Sequence, residues 1–217
     1  MILTGEYGCD RDRLLMAYSD LTLEDIQSQF QIDFLEQNDL FEQVEPVQPS
    51  QLLQDILADN IPLALSSDTE KARSEMIVAP ILIELRRLFD RQISLFSGIE
   101  FNVDRARGLN GRCDFIISQS ASLLSMNVPV LTLVEAKNDN IKSGIPQCIG
   151  ETIAAQIFNA QRNHEVPCIY GIVTTGSIWK FLKLERSTVK IELREHFLEN
   201  LAVLLGILSQ IVRETKY

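Results

Sequence analysis

The sequence predicts an α/β fold in which a central mixed sheet is flanked by helices, and three observations carry that prediction. Short apolar runs rich in Val, Ile and Leu recur at 93–103, 112–118, 128–136, 168–175, 178–185 and 188–193, each of strand length and bounded by turn residues. Longer stretches with apolar residues three and four apart lie before, between and after them. At 217 residues and 46% hydrophobic, the chain is long enough for one well-buried core.

Taken in order, Leu23, Ile26, Phe30 and Phe34 predict an amphipathic helix over 21–37, with Thr22 as N-cap and Glu24 and Asp25 in its first turn. Residues 49–60 (PSQLLQDILADN) predict a short second helix, opened by Ser50 and ended by Asn60 and Pro62. These two helices make up an acidic N-terminal helical arm, 1–66, ahead of a second unit, 67–217. Ser67 with Glu70 reads as a capping box opening a helix over 67–92, which Pro80 should kink or restart. Gly98 marks a bulge in the first strand run. Residues 139–147 (DNIKSGIPQ) turn the chain into a helix over 145–162, with Ile149, Ile153 and Ile157 on one face. Gly176 and Ser177 supply a tight turn between two strands. The last helix, 195–214, has a broad apolar face including Leu204, Leu208 and Ile211; core packing is its expected use, and a homodimer contact the alternative.

A net charge of −10 opposes the basic footprint of a nucleic-acid binder, but the charge is unevenly spread. Residues 1–70 hold 15 acids against Arg11 and Arg13, giving −13, and the remainder carries +3. Arg105, Arg107 and Arg112 precede the second strand run and, with Lys142, are the candidate contacts to a phosphate backbone; an ordinary solvated surface is the competing reading. The four cysteines (9, 113, 148, 168) form no C-x-x-C pair, and only His164 and His196 are present, so no structural zinc site is expected and a reduced, cytoplasmic setting is. Glu6 and Asp10 near the start argue against a secretory leader. The longest apolar run, 201–208, is far below the ~18 residues of a membrane span.

The chemistry concentrates in two strand runs. Asp114 sits in CDFII, and Glu135-Ala136-Lys137 closes VLTLVEA. A carboxylate in such an apolar run is costly unless a cation compensates it, and two of them call for a metal. Alternation along a strand turns Glu135 and Lys137 to one face and Ala136 to the other. Carboxylate oxygens suit Mg²⁺ or Mn²⁺, and two acids suffice because magnesium keeps several waters and takes phosphate oxygens from its substrate. Glu-x-Lys by itself is a short motif that an ordinary strand-end ion pair explains.

The arrangement of Asp114, a gap of 21 positions to Glu135, and the lysine two residues on resembles the PD-(D/E)XK nuclease superfamily over about residues 67–193. That resemblance implies a restriction-endonuclease-like core and a Mg²⁺- or Mn²⁺-dependent endonuclease acting on DNA. Asp114, Glu135 and the Ala136 carbonyl would be ligands, and Lys137 the catalytic cation. It further implies an acid on the first helix, at Glu75, and supporting polar residues on the helix after the lysine, at Gln147 and Glu151. By itself Glu151 reads as the exposed face of an amphipathic helix. Cys113 stands where the superfamily's nominal proline would be; that proline shapes backbone and ligates nothing. The competing expectation is a non-catalytic interaction or regulatory subunit on the same scaffold, its acidic segment binding a basic partner. Trp179 reads as sheet packing.

Overall fold

The computed structural model describes residues 16–122 and 124–215. Its centre is an eight-stranded mixed sheet: β1 (Asp33–Gln37), β2 (Ser94–Glu100), β3 (Arg112–Ser118), β4 (Val130–Ala136), β5 (Ile169–Thr174), β6 (Ile178–Glu185), β7 (Thr188–Glu192) and β8 (His196–Phe197). The order across it is β1-β7-β6-β5-β4-β3-β2, with β8 beside β6; β1 with β7 and β4 with β5 are parallel, and the other pairs antiparallel. Every residue of β4 and β5 is buried, which is why VLTLVEA and IYGIVT read as unbroken apolar runs rather than alternating ones.

Helices cover both faces. On one lie α2 (Gln51–Ser67), α4 (Ala79–Leu88) and α6 (Leu201–Glu214), whose Leu53, Leu57, Leu85 and Leu208 pack with Phe115, Val134, Ile172 and Phe181 of the sheet. The face of α6 is thus covered by the core. On the other lies α5 (Ile141–Ala160), where Ile149 and Ile153 pack with Leu133, Val173 and Leu182, and over it run Tyr18, Leu21 and Ile26, the last on α1 (Leu23–Phe30). Asn159 pins α5 to the start of β4: its side-chain amide donates to the Val130 carbonyl and accepts from the Val130 N–H, both at 2.8 Å. Trp179 is fully buried and donates to the Gly176 carbonyl at 3.0 Å.

Five predicted elements change. The helix expected over 21–37 ends at Phe30, because Gln31 takes a left-handed conformation (φ 54°) and 33–37 pairs with β7 instead; Ile32 and Phe34 are strand-spaced, not helical, members of the core. Asn60 and Pro62 do not end α2. Pro62 has no N–H for the Ala58 carbonyl, but Ala58 is an exposed residue, and the Asn60 amide donates at 2.9 Å to the Met76 carbonyl. That carbonyl is the one Pro80 cannot serve, having no N–H, and the chain answers with a turn of π geometry, Ser74–Val78, between the four-residue α3 (Glu70–Arg73) and α4. Thr69 rather than Ser67 caps α3, accepting from the Ala72 N–H at 3.1 Å. Finally, α5 starts at Ile141, capped by Asn140, and His196 belongs to β8 rather than to a helix.

The described part of residues 1–66 is built into the same body as the rest. β1 is a strand of the sheet, and Leu53, Leu57 and Ala64 belong to the core.

Candidate functional site at the ends of β3 and β4

Pairing of β3 with β4 runs from Ser118↔Val130 to Phe115↔Val134, and one step further brings Asp114 alongside Glu135. There Asp114 Oδ2 accepts from the Ala136 N–H at 2.8 Å, fixing the carboxylate at the strand end. Alternation along β4 sends Glu135 to the face of Leu133, under α5. Its Oε1 accepts from Lys137 Nζ at 2.6 Å. The same ammonium donates to Gln147 Oε1 at 3.2 Å, and Gln147 Nε2 donates to Glu151 Oε1 at 3.2 Å. A hydrogen-bonded chain therefore links Glu135, Lys137, Gln147 and Glu151. The lysine stem reaches this position because residue 144 is glycine: a Cβ there would lie 2.7 Å from Val173 Cγ1 and 3.1 Å from both Lys137 Cγ and Cε.

The cluster holds more negative than positive charge. Glu135 is 3% exposed and Glu151 fully buried, and Oε2 of each has no hydrogen-bond partner. Burial, then the nearby Asp114 charge, pushes the Glu135 carboxyl up to about 7, with Lys137 only partly offsetting them. Burial also raises Asp114, more than the Ala136 N–H and Lys137 lower it. Glu151 is held well above the usual carboxylate range by burial first and the Glu135 charge second. Burial pulls Lys137 down, but the Glu135 carboxylate outweighs it and the net shift is upward. Cys113 beside them is buried, and burial with the Glu151 and Glu135 charges pushes its thiol up.

Buried carboxylate oxygens without a donor, beside a third carboxylate, fit a hard divalent cation; without one, a proton shared between the Glu135 and Glu151 carboxyls satisfies them. Among the described residues no three His, Cys, Asp or Glu side chains stand together as a ready-made ligand set. A cation here would depend on Asp114 and Glu135, the Ala136 carbonyl, and oxygens from solvent or substrate.

Of the residues singled out in the sequence, Asp114, Glu135, Lys137 and Gln147 come together. Glu75 does not: the π turn carries it outward, where it is 59% exposed and pairs with Lys71 at 2.5 Å. The acid of the first helical segment whose charge reaches both Glu135 and Lys137 is Glu70, one turn earlier. Glu151 is buried rather than exposed because the 18–26 segment lies over the outer face of α5; a Cβ at residue 150 would meet Leu21 Cδ1 at 2.5 Å. Its position between Ile149-Gly150 and Thr152-Ile153-Ala154-Ala155 carried that signal, since a helix apolar or small all round is covered on every side. Arg73 was not legible in the sequence; three of its guanidinium N–H groups bond around the cluster's rim.

Of the four candidate phosphate contacts, Arg107 is held by Asp104 at 2.7 Å and Arg112 faces Glu100 at 3.5 Å, whereas Arg105 and Lys142 are exposed without an ion pair among the described residues. A cavity of about 520 Å³ lined by Gln156, Ile157, Ala160, Pro167 and Arg186 lies at the other end of α5 and holds none of the clustered groups. No helix among the described residues is long and apolar enough to cross a membrane. Comparison with known protein families and with characterised proteins finds no match to this chain.

Proposed function

We propose that this protein is a Mg²⁺- or Mn²⁺-dependent endonuclease hydrolysing DNA phosphodiester bonds, on a restriction-endonuclease-like core of the PD-(D/E)XK kind. The observation that carries the reading is the meeting of Asp114, Glu135 and Lys137 at the ends of two central strands, with orphaned carboxylate oxygens on Glu135 and Glu151. Strand-end placement supports it as well, because groups there are held by a rigid scaffold yet stand at the rim. When bound, the cation would polarise the scissile phosphate and make a coordinated water acidic.

The chain's own groups have separable tasks. Asp114 and Glu135 would hold the cation through side-chain oxygens, joined by the Ala136 carbonyl. Asp114 keeps its orientation through the Ala136 N–H. Lys137 stays charged because Glu135 outweighs the effect of burial, so it acts as a fixed positive charge toward an anionic phosphate rather than as a base. Gln147 holds the ammonium from the α5 side and spends its other end on Glu151. DNA would be met by Arg105 and Lys142, both exposed and without an ion-pair partner among the described residues.

Incubation of supercoiled plasmid with Mg²⁺ or Mn²⁺ tests the reading. The wild type should nick or linearise it, and Asp114→Ala and an EDTA control should not. Equal background cleavage by wild type and variant rejects the enzyme and leaves a non-catalytic interaction role on the same scaffold.

A further inference from the structure

We propose that the groove where α5, the β6–β7 turn and the end of α1 meet binds a nucleoside monophosphate, with Arg107 and Arg186 on the phosphate and the base in the apolar hollow beside them.

Two hollows join there. One, of about 470 Å³, is walled by Gln29, Gln31, Arg107, Gln156 and Arg186, and among the described residues no acid lines it. The other, of about 520 Å³, has Ala160, Val166 and Pro167 in its wall. Gln156, Ile157 and Arg186 line both, so the hollows adjoin. Each is of the size of a small-molecule site, about 300–1,000 Å³. In a chain of net charge −10, a hollow with two guanidinium groups, three carboxamides and no carboxylate in its wall selects an anion. Phosphate suits it better than carboxylate, having up to two charges and three acceptor oxygens to spread over several N–H donors. The apolar hollow then favours a flat body with bare faces and polar edges, and a nucleobase has that form.

Both cations are held in place. The Arg107 guanidinium lies 5.1 Å from the centre of the Phe30 ring, and its Nε donates to Asp104 at 2.7 Å, a bond that does not use the terminal nitrogens. Arg186 carries the stronger signal. With Ser187 it forms the two-residue turn between β6 and β7, and its φ of 55° is left-handed, a conformation such turns ordinarily give to glycine or asparagine. Neighbours fasten this turn on both sides: Gln156 Nε2 donates to the Arg186 carbonyl and the Asp33 N–H to the Ser187 carbonyl, both at 2.9 Å. An arginine held in a backbone conformation that disfavours it marks a side chain with a task. Gln31, in the same hollow, is likewise left-handed at φ 54°.

This groove is separate from the strand-end cluster and does not depend on a metal there. Gln156 lies nine residues, about two and a half turns, beyond Gln147 on α5, so the two point to opposite sides of that helix.

Calorimetric titration of the full chain in EDTA tests the proposal, using the 5′-monophosphates of adenosine, guanosine, cytidine and uridine. Inorganic phosphate, ribose 5-phosphate and the four nucleosides serve as fragments. At least one nucleotide should bind, and each of its fragments at least about tenfold more weakly. Arg186→Gly should lower that nucleotide's affinity by about 10- to 100-fold while the melting temperature holds or rises, because glycine accepts a φ of 55° freely. Arg186→Asn, also at ease there, should behave alike and guards against a loosened turn. Folded Asp114→Ala should bind as the wild type does. A wild type that binds none of the nucleotides overturns the proposal, and so does phosphate or ribose 5-phosphate bound as tightly as the nucleotide. Unchanged affinity in both Arg186 variants overturns it too, as does a loss in Asp114→Ala, which would place the nucleotide at the strand ends.

Discussion

Replacing Glu135 by glutamine should make the metal-free protein more stable, and increasingly so as pH rises. Glutamine imitates the protonated carboxyl: it keeps an oxygen for Lys137 Nζ, which lies 2.6 Å from Glu135 Oε1, and it removes the charge that burial and Asp114 penalise. The folded carboxyl titrates at about 7 and the unfolded one near 4.5. Below pH 4.5 both states hold the proton, and Glu135 adds nothing to the pH dependence. From 4.5 to 7 the unfolded chain releases its proton while the folded one keeps it, so the folded state loses ground; above 7 the deficit is constant. Moving the carboxyl between those two values corresponds to about 3 kcal/mol on the plateau and, by the same relation, about 1.4 kcal/mol at pH 5.5. The advantage of Glu135→Gln should therefore grow by about 2 kcal/mol between pH 5.5 and pH 8.5. For a chain of this size that is a widening of roughly 4–8 °C in the difference between melting temperatures. Thermal melts followed by circular dichroism in EDTA, at several pH values, measure it. A difference that stays flat with pH, or that narrows as pH rises, refutes the account of a charge-starved site.

Three further outcomes follow from the packing. Gly144→Ala adds a methyl against Val173 and the Lys137 stem; crowding of about 1–3 kcal/mol exceeds the ~1 kcal/mol gained in helix propensity, and the displaced ammonium should lower plasmid cleavage by roughly 10- to 100-fold, which denaturant titration and a nicking assay report separately. Tyr18→Phe strips a buried donor, 2.7 Å away, from the Phe101 carbonyl, and should cost about 1–2 kcal/mol, seen as a melting temperature lower by about 3–6 °C. Arg105→Gln and Lys142→Gln should each reduce the salt dependence of DNA binding, measured by fluorescence anisotropy without divalent metal, by about one unit of the log–log slope; an unchanged slope removes that residue from the phosphate path.

The strands were readable because each is a short apolar run closed by turn residues, and β3, β6 and β7 lie within a residue of their expected limits. Helix limits were harder wherever tertiary contacts overrode local signals. Asn60 looks like a stop until its amide is seen serving the Met76 carbonyl, and no spacing rule connects residues 60, 76 and 80. Phe34 continues a helical pattern by chance of spacing while its backbone joins β7. At the site, Asp114, Glu135 and Lys137 were legible because charges in buried strands are conspicuous. The outward place of Glu75 and the role of Arg73 were not, because a π turn at Ser74–Val78 carries the first, and the partners of the second, Asn138 and Thr175, lie 65 and 102 positions away. The burial of Glu151 depends on Leu21, which is 130 positions away in sequence.

β1 is the outermost strand, and Asp33 and Glu36 on it are both exposed. Two like-charged borders repel, so the front of the chain discourages neighbouring molecules from zipping their sheets together. A recombinant fragment begun after Ser66 would strip that guard and bare the flank of β7, whose five residues now match β1 one for one. Such a fragment would clump before it could report on anything else, and questions about the acidic third of this protein are better put by swapping charges where they stand.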